Sequence, residues 1–117
     1  MKTILVVDDD EAIRTLLQEE LEDEGYKVLI AINARDALKM VETEPLDLVI
    51  LDIRMPGMDG LEALPRILGI KEALPVILNT AYSQYQESFM SWAADAYVVK
   101  SSDLTELKAK VKELLDT

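Results

Sequence analysis

Polar residues that could share one chemical task follow four of the five short apolar segments of this sequence. Asp8 and Asp9 follow the first segment, Asp52 the third, Thr80 the fourth and Lys100 the fifth. If these segments are parallel strands, their carboxyl ends meet at one edge of the sheet, which is where α/β proteins bind their ligands. We therefore expect three carboxylates, one hydroxyl and one ammonium group to converge there.

This set of groups is suited to phosphoryl transfer. Three neighbouring carboxylates repel each other and stay partly protonated unless a cation lies among them. Mg²⁺ is the natural occupant, because it is a hard cation that prefers oxygen ligands. Lys100 supplies a compact positive charge for a phosphoryl oxygen, and Thr80 offers a hydroxyl donor to the same group. Positioning and charge neutralisation provide most of the catalysis in such reactions.

Taken singly, each of these residues has a simpler explanation. Asp10 is best read as the N-cap of a helix, and a lone Asp, Thr or Lys at a strand end is most often a turn or surface residue. Asp8 and Asp9 have no capping role once Asp10 is the cap. It is the placement of the set at the ends of different strands that favours a functional site.

The apolar pattern predicts five strand–helix units. The predicted strands cover residues 4–7, 28–32, 48–51, 76–78 and 97–99. The predicted helices cover 11–24, a second segment that carries Ala37, Leu38 and Val41 and ends before Pro45, a third that begins at about 60, a fourth at about 84–93, and a last at 104–115. Alternating strands and helices imply a doubly wound parallel sheet with helices on both faces. With 117 residues, the chain is expected to form a single domain over residues 1–117.

Turn and cap residues mark several helix ends. Asn33 is expected to cap the second helix, and Gly25 to end the first in a left-handed conformation. Asp103 and Glu106 have the spacing of a capping box for the last helix. Pro65 lies inside the third predicted helix and is expected to kink or shorten it, because proline lacks the N–H that the helix needs.

Composition excludes several function classes. The net charge of −11 disfavours direct binding to nucleic acid, and the absence of cysteine and histidine excludes disulfides, Ser-His triads and sites built on thiolate or imidazole ligands. No apolar run approaches the roughly 18 residues of a membrane span. The first ten residues reach acidic side chains too early for a signal peptide. We therefore expect a soluble, cytoplasmic protein that does not bind membranes.

Four motifs give the sequence a clear family resemblance. They are VVDD at 6–9, LDIRMPGMDG at 51–60, TA at 80–81 and YVVK at 97–100. With these motifs in order over essentially the whole chain, the sequence resembles a receiver domain of two-component response regulators. The resemblance implies the flavodoxin-like fold with strand order 2-1-3-4-5. It also implies a phosphoprotein that works in signal transduction or a phosphorelay.

The resemblance assigns roles to the acidic residues. Asp52 would accept a phosphoryl group from a phosphohistidine of a sensor histidine kinase or histidine phosphotransfer protein, becoming 4-aspartylphosphate. Asp9, Asp52 and the backbone carbonyl of Arg54 would ligate Mg²⁺, with Asp8 reaching the ion through water. The domain would be a signalling switch that assists its own phosphorylation and dephosphorylation, not an enzyme.

The resemblance also implies how phosphorylation is transmitted. Thr80 and Lys100 would bind the phosphoryl oxygens, and Tyr97 would turn inward when Thr80 moves towards the phosphate. The surface formed by the fourth predicted helix, the fifth strand and the last helix would then change. That surface would meet a downstream protein or output domain.

Three positions depart from the family pattern. Ser101 replaces the proline that usually follows the lysine through a cis bond, so either the loop is rearranged or an uncommon cis peptide survives. Pro65 should reshape the surface below the site, and Ala93 replaces the usual glycine at the end of the fourth helix. None of the site residues is missing.

Four functions were compared: a stand-alone receiver, the receiver part of a longer regulator, a haloacid-dehalogenase-like phosphatase and a flavodoxin-like FMN carrier. The phosphatase needs a second acid two residues after its nucleophile, where this chain has Arg54. The FMN carrier needs a phosphate-binding loop after the first strand, where Asp8, Asp9 and Asp10 would repel a phosphate. The two receiver forms are favoured equally.

Overall fold

The core of the protein is a parallel sheet of five strands. The computed structural model describes residues 1–85 and 93–116. The strands are β1 Thr3–Val7, β2 Lys27–Ala31, β3 Leu48–Leu51, β4 Val76–Thr80 and β5 Ala96–Val99. They are arranged in the order β2-β1-β3-β4-β5, which confirms the predicted flavodoxin-like topology.

Four α-helices cover the two faces of this sheet in the described part of the chain. They are α1 Glu11–Asp23, α2 Ala34–Thr43, α3 Gly60–Ile70 and α4 Thr105–Leu115. Buried side chains of α1 and α4 pack in one apolar layer, and those of α2 and α3 pack in a second layer on the opposite face.

The central strands are mostly apolar because both of their faces are covered. β3 is apolar at every position, and β1 is apolar at every position except Thr3. Side chains alternate across a strand, and in β1 Ile4 and Val6 point into the layer of α1 and α4, whereas Leu5 and Val7 point into the layer of α2 and α3. The sheet is thereby fixed from both sides, and its strand ends occupy defined positions.

Local capping signals place three helix ends as predicted. The Asp10 carboxylate accepts a hydrogen bond from the Ala12 N–H at the start of α1, and Asn33 does the same for Asp36 at the start of α2. Gly25 follows the end of α1 with a φ of +94°, the left-handed conformation that glycine adopts most readily.

Pro65 does not shorten α3, which was one of the two predicted effects: the helix continues through Pro65 to Ile70. Pro65 lies on the exposed side, where water can satisfy the carbonyl group that its missing N–H leaves unpaired. The predicted capping box is absent, because α4 begins at Thr105 and the Asp103 carboxylate accepts bonds from the N–H and hydroxyl of Thr105 instead.

The segment after β4 differs in part from its prediction. A short 3₁₀ turn occupies Ser83–Tyr85, where the fourth helix was expected to begin. Most of that predicted helix, residues 86–92, lies outside the described residues. Among the helices that are described, none combines the length and the apolar composition that a bilayer span requires.

A close backbone contact joins α3 to the end of β3. Gly60 begins α3, and its N–H donates to the carbonyl of Ile53 over 2.8 Å. A Cβ at Gly60 would lie 2.2 Å from the backbone oxygen of Asp52, well inside van der Waals contact. Only glycine therefore allows α3 to start against the peptide that carries the Asp52 side chain.

We expect Gly60→Ala to lower the free energy of unfolding by about 1–3 kcal/mol, because α3 must move away from the strand end. Urea denaturation of both proteins measures the difference. Gly69→Ala is the matched control in the same helix, since a Cβ there meets nothing within 4 Å. That control should be neutral or slightly stabilising. A Gly60→Ala variant as stable as Gly69→Ala would contradict the close contact.

Candidate functional site

Backbone hydrogen bonds hold the predicted site residues at the ends of the strands. The Asp52 N–H donates to the Val7 carbonyl over 3.0 Å, and the Lys100 N–H donates to the Thr80 carbonyl over 2.7 Å. The parallel pairing thus continues one residue beyond β3 and β5. The side chains of these residues are positioned by the sheet itself and not by flexible loops.

Three carboxylates converge at this edge, as the sequence predicted. One oxygen from each of Asp8, Asp9 and Asp52 lies within 4.8 Å of the other two. Asp8 and Asp52 are buried, with 2% and 4% of their surface exposed, whereas Asp9 is exposed. An all-oxygen donor set with one side open to solvent fits Mg²⁺, which keeps several water ligands.

Lys100 lies between the two buried carboxylates. Its Nζ is 2.7 Å from Asp8 Oδ2 and 3.4 Å from Asp52 Oδ2. No cis peptide bond occurs in the described residues, so the bond from Lys100 to Ser101 is trans. Lys100 therefore reaches the site without the proline that usually follows it.

The pKa values reflect the crowding of like charges. Burial, and then the neighbouring Asp8 carboxylate, raise the pKa of Asp52 from 3.8 to about 6, although Lys100 opposes the shift. Burial by itself would lower the pKa of Lys100. Hydrogen bonds and attraction from Asp8 and Asp52 outweigh that effect, and the pKa of Lys100 is raised. The single positive charge of Lys100 does not neutralise three carboxylates, so the site favours the binding of a further cation.

The turn between β1 and α1 is held by several hydrogen bonds to Asp8. Its Oδ1 accepts from the Asp10 N–H over 2.9 Å, while Oδ2 contacts Lys100. Both side-chain oxygens of Asp8 therefore already have protein partners. This agrees with the expectation that Asp8 contacts the metal through a water molecule and not directly. Arg14, which sequence reasoning did not single out, donates from Nη1 to the Asp8 carbonyl over 2.8 Å.

Thr80 and Tyr97 both contact the residue Tyr82. Thr80 is fully buried, and its hydroxyl oxygen accepts a hydrogen bond from the Tyr82 N–H at 3.4 Å. The Tyr97 hydroxyl donates to the Tyr82 carbonyl. Thr80 and Tyr97, the two residues with predicted switching roles, are therefore connected through the backbone of Tyr82.

Arg54 makes side-chain contacts that the sequence did not reveal. Its guanidinium carbon lies 5.2 Å from the centre of the Tyr82 ring, and Nη1 donates to the Tyr85 hydroxyl over 3.2 Å. The sequence predicts a metal-binding role for the backbone carbonyl of Arg54 but no contact of its side chain. No local pattern marks this contact, because its partners are about thirty positions away along the chain.

A family model described as the response regulator receiver domain matches residues 4–112 of this chain. Two curated relatives come from Bacillus subtilis. The sporulation initiation phosphotransferase F is 43% identical over 96% of this chain and 92% of its own length. The alkaline phosphatase synthesis transcriptional regulatory protein PhoP is 40% identical over 97% of this chain, which spans only 48% of that protein.

Two solved structures are close to this fold. The response regulator TrrA of Thermotoga maritima, crystallised with Mg²⁺ and BeF, is 55% identical and superposes with a TM-score of 0.96, covering 98% of this chain and 100% of that one. The same protein in complex with the histidine kinase ThkA gives a TM-score of 0.93 over 98% of this chain and 99% of that one.

The raised pKa of Asp52 predicts a pH-dependent effect of Asp52→Asn on stability. Well below pH 3.8 the carboxyl is protonated in both the folded and the unfolded state. As the pH rises from 3.8 to about 6, the carboxyl ionises in the unfolded chain before it ionises in the folded one, so folding loses stability, and the loss is complete above about pH 6. Without metal, Asp52→Asn should therefore raise the free energy of unfolding at pH 8 by on the order of 1–3 kcal/mol and have a much smaller effect at pH 4.

Urea denaturation in the presence of a chelator measures this difference. Glu72→Gln is the control, because it removes one acid from the exposed surface of a protein with a net charge of −11. A gain for Asp52→Asn that is equal at both pH values, or no larger than that of the control, would contradict the prediction.

Proposed function

This chain belongs to the family of response regulator receiver domains, and on that premise we propose that Asp52 is its phosphoacceptor. The observation that carries the proposal is the position of Asp52 at the end of the central strand β3. There its buried carboxylate lies beside Asp8 and Asp9 and within 3.4 Å of Lys100. Asp8 also contacts Lys100, but Asp52 is the acid of this cluster that follows the central strand β3.

The proposed reaction is the transfer of a phosphoryl group from a phosphohistidine to Asp52. An oxygen of the Asp52 carboxylate attacks phosphorus, the P–N bond breaks, and the imidazole leaves as the acyl phosphate forms. With a pKa of about 6, Asp52 is mostly ionised at pH 7 and therefore in its nucleophilic form. Lys100 and the Thr80 hydroxyl are placed to bind oxygens of the transferred group.

The donor set supports a site for Mg²⁺. Asp9 and Asp52 would bind the ion directly together with the backbone carbonyl of Arg54, and Asp8 would bind it through water. When bound, the cation neutralises charge that develops on the transferring phosphoryl group. Asp9 is the exposed member of the three, so it is the ligand through which the ion would enter from solvent.

We further propose that the protein is a switch and not a turnover enzyme. A haloacid-dehalogenase-like phosphatase needs a general acid two residues after its nucleophile. That position is Arg54, whose guanidinium lies over the Tyr82 ring. An arginine is always protonated and so cannot serve as the proton donor and acceptor of such a cycle.

The partners we propose are a sensor histidine kinase or histidine phosphotransfer protein and a downstream protein or output domain. The relative TrrA has been solved bound to a histidine kinase, which supports the first. Residues 1–117 would form one receiver domain that acts in the cytoplasm without binding nucleic acid or membranes itself. Relatives of similar length and of about twice this length support the stand-alone and the multidomain form equally.

The effect of Asp52 phosphorylation would reach the protein surface through Thr80 and Tyr97. Binding of the Thr80 hydroxyl to a phosphoryl oxygen would compete with the bond that it accepts from the Tyr82 N–H at 3.4 Å. Because Tyr97 holds the carbonyl of the same residue, a movement at Tyr82 reaches Tyr97. The responding surface would comprise β5, α4 and the helix predicted at 84–93, which lies mostly outside the described residues.

Phosphorylation of Asp52 is tested with acetyl phosphate and Mg²⁺, followed by mass spectrometry of the intact protein. The wild type should gain the mass of one phosphoryl group, and Asp52→Asn should gain none, because the nucleophilic carboxylate is gone. Asp59→Asn is the control, since Asp59 is a nearby acid that caps α3 and asparagine can take over that role. Labelling of Asp52→Asn would refute the assignment.

Coupling between Thr80 and Tyr97 is tested with backbone amide spectra recorded with and without beryllofluoride. In the wild type, beryllofluoride should shift the signals of Tyr97 and α4. In Thr80→Ala those shifts should become small although beryllofluoride still binds, because the hydroxyl that senses it is missing. Thr80→Ser keeps the hydroxyl and should respond like the wild type. Equal shifts in Thr80→Ala and wild type would show that this route does not operate.

A further inference from the structure

Arg14 makes a contact that neither the family motifs nor the proposed reaction uses. It lies on the second turn of α1, and its side chain reaches back towards the end of β1. Nη1 donates to the Asp8 carbonyl over 2.8 Å. This carbonyl belongs to the peptide group that joins Asp8 to Asp9, so Arg14 holds the plane of that peptide.

Asp9 depends on this peptide more than its neighbours do. The side chain of Asp8 is fixed by Lys100 and the Asp10 N–H, and that of Asp10 by the Ala12 N–H. In the part of the chain that the structure describes, the Asp9 carboxylate is exposed and accepts no hydrogen bond. The backbone of the turn is therefore the part of the structure that places its Cα–Cβ bond relative to Asp52.

We propose that Arg14 is a positioning residue for the metal site: it orients the Asp8–Asp9 peptide so that the Asp9 carboxylate faces Asp52. This inference rests on the proposed function, in which Asp9 and Asp52 bind Mg²⁺. Groups that orient metal ligands from outside the coordination sphere commonly set metal affinity. Arg14 would act in this way through a backbone carbonyl, without touching the ion.

Arg14 could affect Mg²⁺ binding by its charge or by positioning the Asp8–Asp9 peptide, and these two effects have opposite signs. A guanidinium near the site repels Mg²⁺, so its removal should strengthen metal binding if charge were its only effect. Loss of the bond to the Asp8 carbonyl should instead weaken binding, because the peptide that carries Asp9 is no longer held. The two explanations predict changes of opposite sign.

Titration calorimetry of the metal-free protein with MgCl₂ tests the proposal. Arg14→Met keeps the apolar stem but loses the donor, and it should weaken Mg²⁺ binding on the order of tenfold. Arg35→Met is the matched control, because it removes an exposed arginine from the helix after β2 and deletes the same charge. It should leave the affinity unchanged or slightly higher.

Arg14→Lys provides a second test that does not depend on the stability of Arg14→Met. Lysine keeps the charge but has a shorter reach and no planar guanidinium, so it should also bind Mg²⁺ more weakly than the wild type. Thermal unfolding without metal shows whether each variant is folded. An affinity for Arg14→Lys equal to wild type, or for Arg14→Met equal to Arg35→Met, would overturn the positioning role.

Asp9→Asn separates failure of this inference from failure of the proposed function. If Asp9→Asn loses Mg²⁺ binding and the Arg14 variants do not, the metal site stands and the role of Arg14 is refuted. If Asp9→Asn binds Mg²⁺ like the wild type, the ligand assignment itself fails, and the positioning role fails with it.

Discussion

The central constraint on this protein is the burial of two carboxylates, Asp8 and Asp52, beside a single ammonium group. Lys100 contacts both, yet the pKa of Asp52 still rises to about 6 because of burial and the neighbouring Asp8. Such an arrangement is destabilising by itself, since like charges repel more strongly away from water. It also favours the binding of a cation among the three carboxylates.

The sheet can hold these charges together because its frame is fixed on both faces. Mostly apolar strands pack between two helical layers, and the backbone pairing extends to Asp52 and Lys100. Gly60 brings the start of α3 against the peptide that carries Asp52. Stability from the two apolar layers thus offsets the electrostatic cost at the strand ends, as is common at functional sites.

The same charges are linked to the surface through a small number of contacts around Tyr82. Its N–H binds Thr80, its carbonyl binds Tyr97, and its ring lies under the guanidinium of Arg54. Arg54 is on the loop that follows Asp52, and Thr80 ends β4. Tyr82 therefore contacts the chain next to Asp52 as well as the end of β4. These contacts form the route by which, in the proposed mechanism, phosphorylation of Asp52 would bias the position of Tyr97.

The sequence by itself determined the order of strands and helices, the caps at Asp10 and Asn33 and the convergence of the site residues. These features depend on short-range periodicity, on side chains that bond to nearby backbone, and on the rule that parallel strand ends meet at one edge. Only the tertiary structure decided that Arg14 binds the Asp8 carbonyl, that Tyr97 binds Tyr82 and that α3 continues through Pro65. These outcomes depend on packing, on solvent exposure and on side chains that reach other segments of the chain, none of which leaves a periodic signal in the residues themselves.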